Sequence, residues 1–294
     1  MGFSNGFRRR LASMTAIGLS LLVVPWASWA GPAALHVERV GVIRTTPFVG
    51  TDISMGDGEG SAYVRRDRSL WLADDNTNAI YAVNPRTGKL KRVIRQAAFR
   101  SAHRAGGGPR AGVNRSEDFE SVAYDEARDA LYVFSGVCCD GKARPTVFRL
   151  TRRGGVLRVA SWQPLPGASD FSAAGWNAGD GRVYVAMKGE IRSYVWARNA
   201  LGSPFGVTGL SGITGLGFSR DGSRMFVVNH LNNLYAVDWD TKTIASGWTF
   251  DLAGVGIRDA RAVDRIGGHV FILDGGDRPG SALEHAVFEL KVVR

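Results

Sequence analysis

The residues of this chain that could do chemistry recur at fixed places in a repeated motif. The motif reads DGEGSAYV from Asp57, DFESVAYD from Asp118, DFSAAGWN from Asp170, GITGLGFS from Gly212 and DARAVDRI from Asp259. Two residues after the motif's first position stand Glu59, Glu120 and Arg261. Carboxylates crowded at one point repel, so a cation, an arginine or a shared proton must compensate them. Glu59, Glu120 and Asp170 are therefore a candidate metal set, and oxygen-only ligands suit calcium or magnesium; zinc would want more His or Cys. A water on such a metal could be activated by Glu59, Glu120 or His230, which makes these three the candidate catalytic groups. Arg261 offers the opposite chemistry, a planar fork that holds a carboxylate or phosphate bidentately. Asp170, Asn229, Cys138 and Cys139 complete the candidate ligand-binding set. The recurring Asp57, Asp118, Asp170 and Asp259 also have a purely architectural reading, because an Asp before a strand caps a turn through its own backbone.

Cys138 and Cys139 are the only cysteines and are adjacent, so they join each other, pair between chains or stay reduced. Neighbouring Cα atoms lie about 3.8 Å apart, closer than disulfides prefer, and a vicinal bridge would stiffen its loop at the cost of strain. His230 lies at the expected channel mouth, whereas His103 falls in a basic loop. No Ser-His-Asp order emerges, so hydrolysis would need the metal route.

These residues must be positioned by short strands. After each motif comes a polar turn and a second apolar run: LWLAD, LYVFS, VYVAM, MFVVN and VFILD. A third run follows in each unit: AIYAVN, TVFRLT, IRSYVW, NLYAVD and AVFELK. The runs are β-branched and aromatic with Gly, Asp and Asn between them, the pattern of antiparallel hairpins. The repeat predicts an all-β propeller of five four-stranded blades, since radial closure buries both faces of every sheet. Six blades is the alternative, with the extra one hidden in 95–117. The last unit ends at Arg294 without a fourth run, so HVERVGVI at 36–43 is expected to pair with 286–293 and close the ring. In such a ring the starts of the innermost strands and the loops between second and third strands share one face. That gathers Asp57, Asp74, Asp75, Lys188, Asp274 and Asp277 around the same channel as the candidate groups.

LADDNTNAIYAVNPRTG resembles the NHL type of propeller repeat. DFESVAYD followed by LYVF resembles the SdiA-regulated and esterase-like phytase propellers, and EG at Glu59 with GLGFSRDGSRMFVVN is similar to the gluconolactonase and regucalcin family. The last resemblance implies a divalent-metal lactonase site. Glu59 matches its EG motif, but Thr214 stands where that family has asparagine and Arg261 where it has aspartate, which weakens two ligands. Arg261 and the phytase-like motif lean instead towards an anion.

Residues 1–30 combine Arg8, Arg9 and Arg10 with an apolar run ending in Ser28, Trp29 and Ala30, the form of a secretory signal cut before Gly31. The mature chain, 31–294, is thus expected to be a single extracytoplasmic propeller and a monomer. Removing three arginines and no acid lowers the formal charge from +10 to +7. That charge resides between Lys89 and Arg115, where eight cations meet no carboxylate. Gly106 to Pro109 mark 95–117 as a basic loop insertion, solvated or touching the anionic cell envelope. Nucleic acid is not expected, because Phe99 alone interleaves the charges. The function expected is binding of a small or anionic ligand at the channel mouth; a metal-dependent ester, lactone or phosphoester hydrolase and a protein-interaction scaffold are the alternatives.

Overall fold

The apolar runs pair into five antiparallel four-stranded sheets. The computed structural model describes residues 35–106, 118–136, 145–165, 167–168, 171–187, 189–276, 283 and 285–293. After β1 (His36–Ile43), blade 1 is built from β2 (Gly58–Val64), β3 (Ser69–Asp74), β4 (Ala79–Val83) and β5 (Leu90–Ile94). A helix, α1 (Gln96–Ala105), leads to blade 2, with β6 (Phe119–Asp125), β7 (Ala130–Ser135), β8 (Thr146–Arg153) and β9 (Val156–Pro164). Blade 3 has β10 (Ala173–Asn177), β11 (Arg182–Met187), β12 (Glu190–Val195) and the short β13 (Ala200–Leu201). Blade 4 has β14 (Ile213–Phe218), β15 (Arg224–Asn229), β16 (Asn233–Asp238) and β17 (Thr243–Asp251). Blade 5 has β18 (Ala260–Ile266), β19 (His269–Asp274) and β20 (Val287–Val293) from the end of the chain, and its outer strand is β1.

β1 runs antiparallel to β20 with His36 opposite Val293 and Ile43 opposite Val287, the closure expected from the sequence. The innermost strands β2, β6, β10, β14 and β18 each pack on the next, and β18 packs on β2. The ring therefore closes at five, and the six-blade alternative falls away.

Alternate positions of the innermost strands are small, with the one exception of Asp264 in β18, because neighbouring backbones touch there. A Cβ on Gly60 would lie 2.5 Å from the Ser121 Cα, and one on Gly217 would lie 2.3 Å from the Val263 carbonyl oxygen. Around the ring the first small position is Gly60, Ser121, Ala173, Gly215 and Ala262. Further out, aromatic and aliphatic side chains such as Trp71, Phe134, Phe226 and Phe288 fill the space between blades and are fully buried, each stabilising the fold by about 1.5–3 kcal/mol.

Residues 95–117 correct the sequence reading in their first half. The Gly and Pro signals at 106–109 suggested a loop, yet Gln96–Ala105 is a helix. Its alanines favour the helix, and Phe99 and His103, four apart, bury one face. Phe99 packs edge-on against Phe119 and Phe148 at 4.6 and 5.2 Å. His103 meets Trp162 edge-on at 4.1 Å between centroids, and the indole N–H donates to the His103 carbonyl at 3.1 Å. His103 is thus a packing residue between blades 1 and 2, not part of a solvated loop; 107–117 lie outside the described residues, as does the expected signal segment 1–30. Among the described residues no helix is long and apolar enough to cross a membrane.

Candidate functional site at the channel mouth

The starts of the innermost strands share a face with the loops between second and third strands, since Gly58 pairs with Asp74 and Asp74 with Ala79. At this mouth the pairing of innermost and second strands slips by one residue in four blades: between Gly58 and Gly60, Phe119 and Ser121, Ile213 and Gly215, and Ala260 and Ala262. The skipped residues are Glu59, Glu120, Thr214 and Arg261. A bulged residue leaves the ladder and its side chain is re-aimed. In blade 3 the pairing begins at Ala173, and Ser172 holds the corresponding place with its N–H and hydroxyl both donating to the Ala186 carbonyl. The small residue next to each bulge repeats around the ring, while the bulged position holds glutamate in blades 1 and 2, threonine in blade 4 and arginine in blade 5.

Glu59 and Arg261 meet across the seam where blade 5 joins blade 1. The Arg261 Nη1 donates to both Glu59 carboxylate oxygens at 3.0 and 3.1 Å, and its Nε donates to Asp259 at 2.9 Å. All three side chains are largely buried, so the charge-assisted bonds act with little screening by water. Arg261 was expected to grip an anion with its fork; two edges of that fork are instead engaged by the protein's own carboxylates. The Thr214 hydroxyl donates to the Ala260 carbonyl at 2.6 Å, tying blade 4 to blade 5 beside the cluster.

The recurring motif position works through its backbone. The carbonyls of Asp57, Asp118, Gly212 and Asp259 accept the N–H groups of Asp75, Gly136, His230 and Gly275 at 2.8–3.0 Å. Gly212 serves as well as the aspartates, so this bond asks nothing of the Asp side chains and differs from the side-chain turn cap expected of them. The last residue of the second strand does the same through its side chain. Buried Asp74 accepts the N–H groups of Gly56, Asp57 and Thr77, and buried Asp274 accepts those of Arg258 and Gly276. Burial pushes the Asp274 carboxyl up from its ordinary range against the pull of these bonds.

Asn229, expected in the ligand-binding set, has this scaffold role. It is buried, donates to the Ser211 carbonyl at 3.3 Å and accepts the Asn233 N–H at 3.1 Å. His230 is exposed on blade 4, its Nδ1 3.3 Å from the Gly212 carbonyl oxygen. Glu120 stands on blade 2 next to Glu59 on blade 1. Asp170, Cys138, Cys139, Lys188 and Asp277 lie outside the described residues.

Asp170, the third member of the expected metal set, lies outside the described residues, so the set of Glu59, Glu120 and Asp170 is only partly in view. Among the described residues no three His, Cys, Asp or Glu side chains converge as ligands, and the compensation that a cation would give Glu59 comes from a guanidinium.

One group escaped the sequence reading. Asp264 in β18 occupies the position held by Ala62, Ala123, Gly175 and Gly217 in the other blades, and lies on the channel below the mouth. It accepts a hydrogen bond from the Ser61 hydroxyl and another from the Tyr63 N–H at 3.3 Å, both across the blade 5 to blade 1 seam. A carboxylate in a column of small residues was the signal available. Part of Asp264 faces the narrow channel, but protein surrounds the group, and this burial pushes its carboxyl up to about 7.

No protein-family model matches the chain, including those of the propeller families that its motifs resemble, and no curated protein matches it. Among solved structures, a glutaminyl cyclase from Myxococcus xanthus is similar, with a TM-score of 0.58 and 13% identity over 90% of this chain and 100% of that one. A chain of a nidogen/laminin complex overlaps with a TM-score of 0.46 and 16% identity over 74% and 72%. At such identities the first likeness carries the propeller fold alone.

Proposed function

We propose that this protein is an exported propeller that binds a small ligand at the channel mouth, and that the ligand presents an amine or another hydrogen-bond donor. The observation that carries this reading is the engagement of Arg261 by Glu59 and Asp259. With that arginine committed, Asp57, Glu59, Asp75, Asp118, Glu120 and Asp259 stand at the mouth against Arg258 and Arg261 among the described residues. Such a rim attracts cations and repels carboxylates and phosphates. Export follows from the amino-terminal sequence. The similar glutaminyl cyclase makes a peptide with amino-terminal glutamine a sensible member of any ligand panel.

The test is calorimetric titration of the full chain with small amines, glutaminyl peptides, carboxylates, phosphoesters, calcium and magnesium, beside an ester and phosphoester hydrolysis assay. An amine should bind, and Glu120→Gln should weaken it by about tenfold or more, the size of a lost charged hydrogen bond, with little change in Tm. Asp118→Asn changes a buried side chain and should lower Tm more than it lowers affinity. Preference for a phosphoester would overturn the reading. A calcium- or magnesium-dependent rise in Tm, abolished by Glu59→Gln, would return the glutamates to the role of metal ligands.

A further inference from the structure

A cleft between blades 2 and 3, remote from the mouth, is lined by Arg128, Tyr132, Arg149, Arg182, Tyr194 and Trp196. Three rings form its apolar wall. Tyr132 lies 5.6 Å from Trp196 and 6.1 Å from Tyr194 between centroids, and the Arg149 guanidinium carbon lies 5.8 Å from the Trp196 centroid. Two polar atoms in this wall are buried without a hydrogen-bond partner, the Tyr194 hydroxyl and the Arg149 Nε. A buried donor left unmade costs about 1–3 kcal/mol, and each such group in a native fold calls for a water, an ion or a ligand. Burial also holds the Tyr194 phenol well above its ordinary range, so it stays a donor at any physiological pH.

The carboxylates nearby are committed elsewhere. Asp125 accepts the Arg128 N–H at 3.0 Å and its guanidinium at 2.7 Å, and Asp180 accepts the Tyr184 hydroxyl at 2.6 Å and the Arg182 N–H at 3.1 Å. Arg149 is left with no ion pair among the described residues. An aromatic wall, an uncompensated arginine and an unused phenol together specify a flat apolar body with one acidic group.

We propose that this cleft binds a small aromatic carboxylate, its ring against Tyr132 and Trp196 and its carboxylate between Arg149 and the Tyr194 hydroxyl. The probe is phenylacetate, titrated into the full chain by calorimetry and by tryptophan fluorescence, with phenylethylamine and benzyl alcohol as controls. Phenylacetate should bind saturably and both controls should not. Arg149→Gln should weaken binding by about 10- to 100-fold and Tyr194→Phe by about tenfold, as expected when a hydrogen bond to a charged group is lost. Because no protein group among the described residues bonds the Tyr194 hydroxyl, Tyr194→Phe should keep or raise Tm, so its loss of binding reads the hydroxyl and not unfolding. Absence of saturation up to about 10 mM, an affinity too weak to matter, would overturn the proposal. Equal binding of phenylethylamine, or unchanged binding in both variants, would overturn it as well. Glu120→Gln should leave phenylacetate binding intact, which separates this cleft from the mouth.

Discussion

Gly60→Val will fail to give a stably folded ring. The added Cβ would lie 2.5 Å from the Ser121 Cα and 2.9 Å from the Val122 nitrogen, both backbone atoms of an innermost strand that cannot turn aside as a side chain can. The two strands would have to separate, and in a closed ring a displacement at one seam is passed to the other four. Overpacking a well-filled interior costs about 1–3 kcal/mol where side chains can yield; here the resisting atoms are main chain, so a loss above about 3 kcal/mol is expected, a large part of the stability of an ordinary domain. Urea unfolding followed by circular dichroism measures it. Gly268→Ala is the matched control, because nothing lies within 4 Å of the atom it adds, and it should change stability by no more than about 0.5 kcal/mol. If Gly60→Val unfolds at the same urea concentration as the parent, the small-residue layer does not set the radius of the ring.

That layer also explains why the architecture was legible from sequence. A ring of innermost strands demands small residues at alternate positions, and four of the five units display the pair, as Gly60 with Ala62, Ser121 with Ala123, Ala173 with Gly175 and Gly215 with Gly217, while the fifth has Ala262 followed by Asp264. Together with a constant spacing to the aromatic of the second run, this pattern has few other solutions. The helix at Gln96–Ala105 was obscured by the glycines and proline that follow it, although Phe99 and His103 carried its period. The pairing of Glu59 with Arg261 spans 202 positions in sequence. It becomes visible once the ring is closed at five, because blade 5 is then the neighbour of blade 1 and the two residues share one column. Asp264 was legible by the same comparison of columns. The orphaned Tyr194 hydroxyl was not, since it depends on how side chains of two different blades pack, and no periodicity reports that.

Asp264 sets the other large expectation, a stability that falls as pH rises. Burial raises its carboxyl from 3.8 in the unfolded chain to about 7 in the folded one, while the Ser61 hydroxyl and the Tyr63 N–H pull in the opposite direction. Between about pH 4 and 7 the folded state therefore holds a proton that the unfolded state has released, and stability declines across that window. Below it both states are protonated and no penalty applies; above it both are ionised and the full penalty persists. A change from 3.8 to about 7 corresponds to on the order of 4 kcal/mol, a ceiling that channel water and the arginines rimming the lower mouth, Arg65, Arg220 and Arg265, will reduce. Asp264→Asn removes the ionisation and keeps the geometry, because an amide oxygen can still accept the Tyr63 N–H while the amide nitrogen donates to Ser61. The variant should match its parent at or below about pH 4 and exceed it at pH 8 by about 1–3 kcal/mol, measured as the difference in urea unfolding free energy at the two pH values. Asp264→Ala restores the residue type of the column but strands the Ser61 hydroxyl and Tyr63 N–H, so its gain at pH 8 should be smaller. The comparison with the parent cancels every other titrating group, which makes parallel pH profiles for parent and Asp264→Asn decisive against a buried, proton-holding acid at the seam.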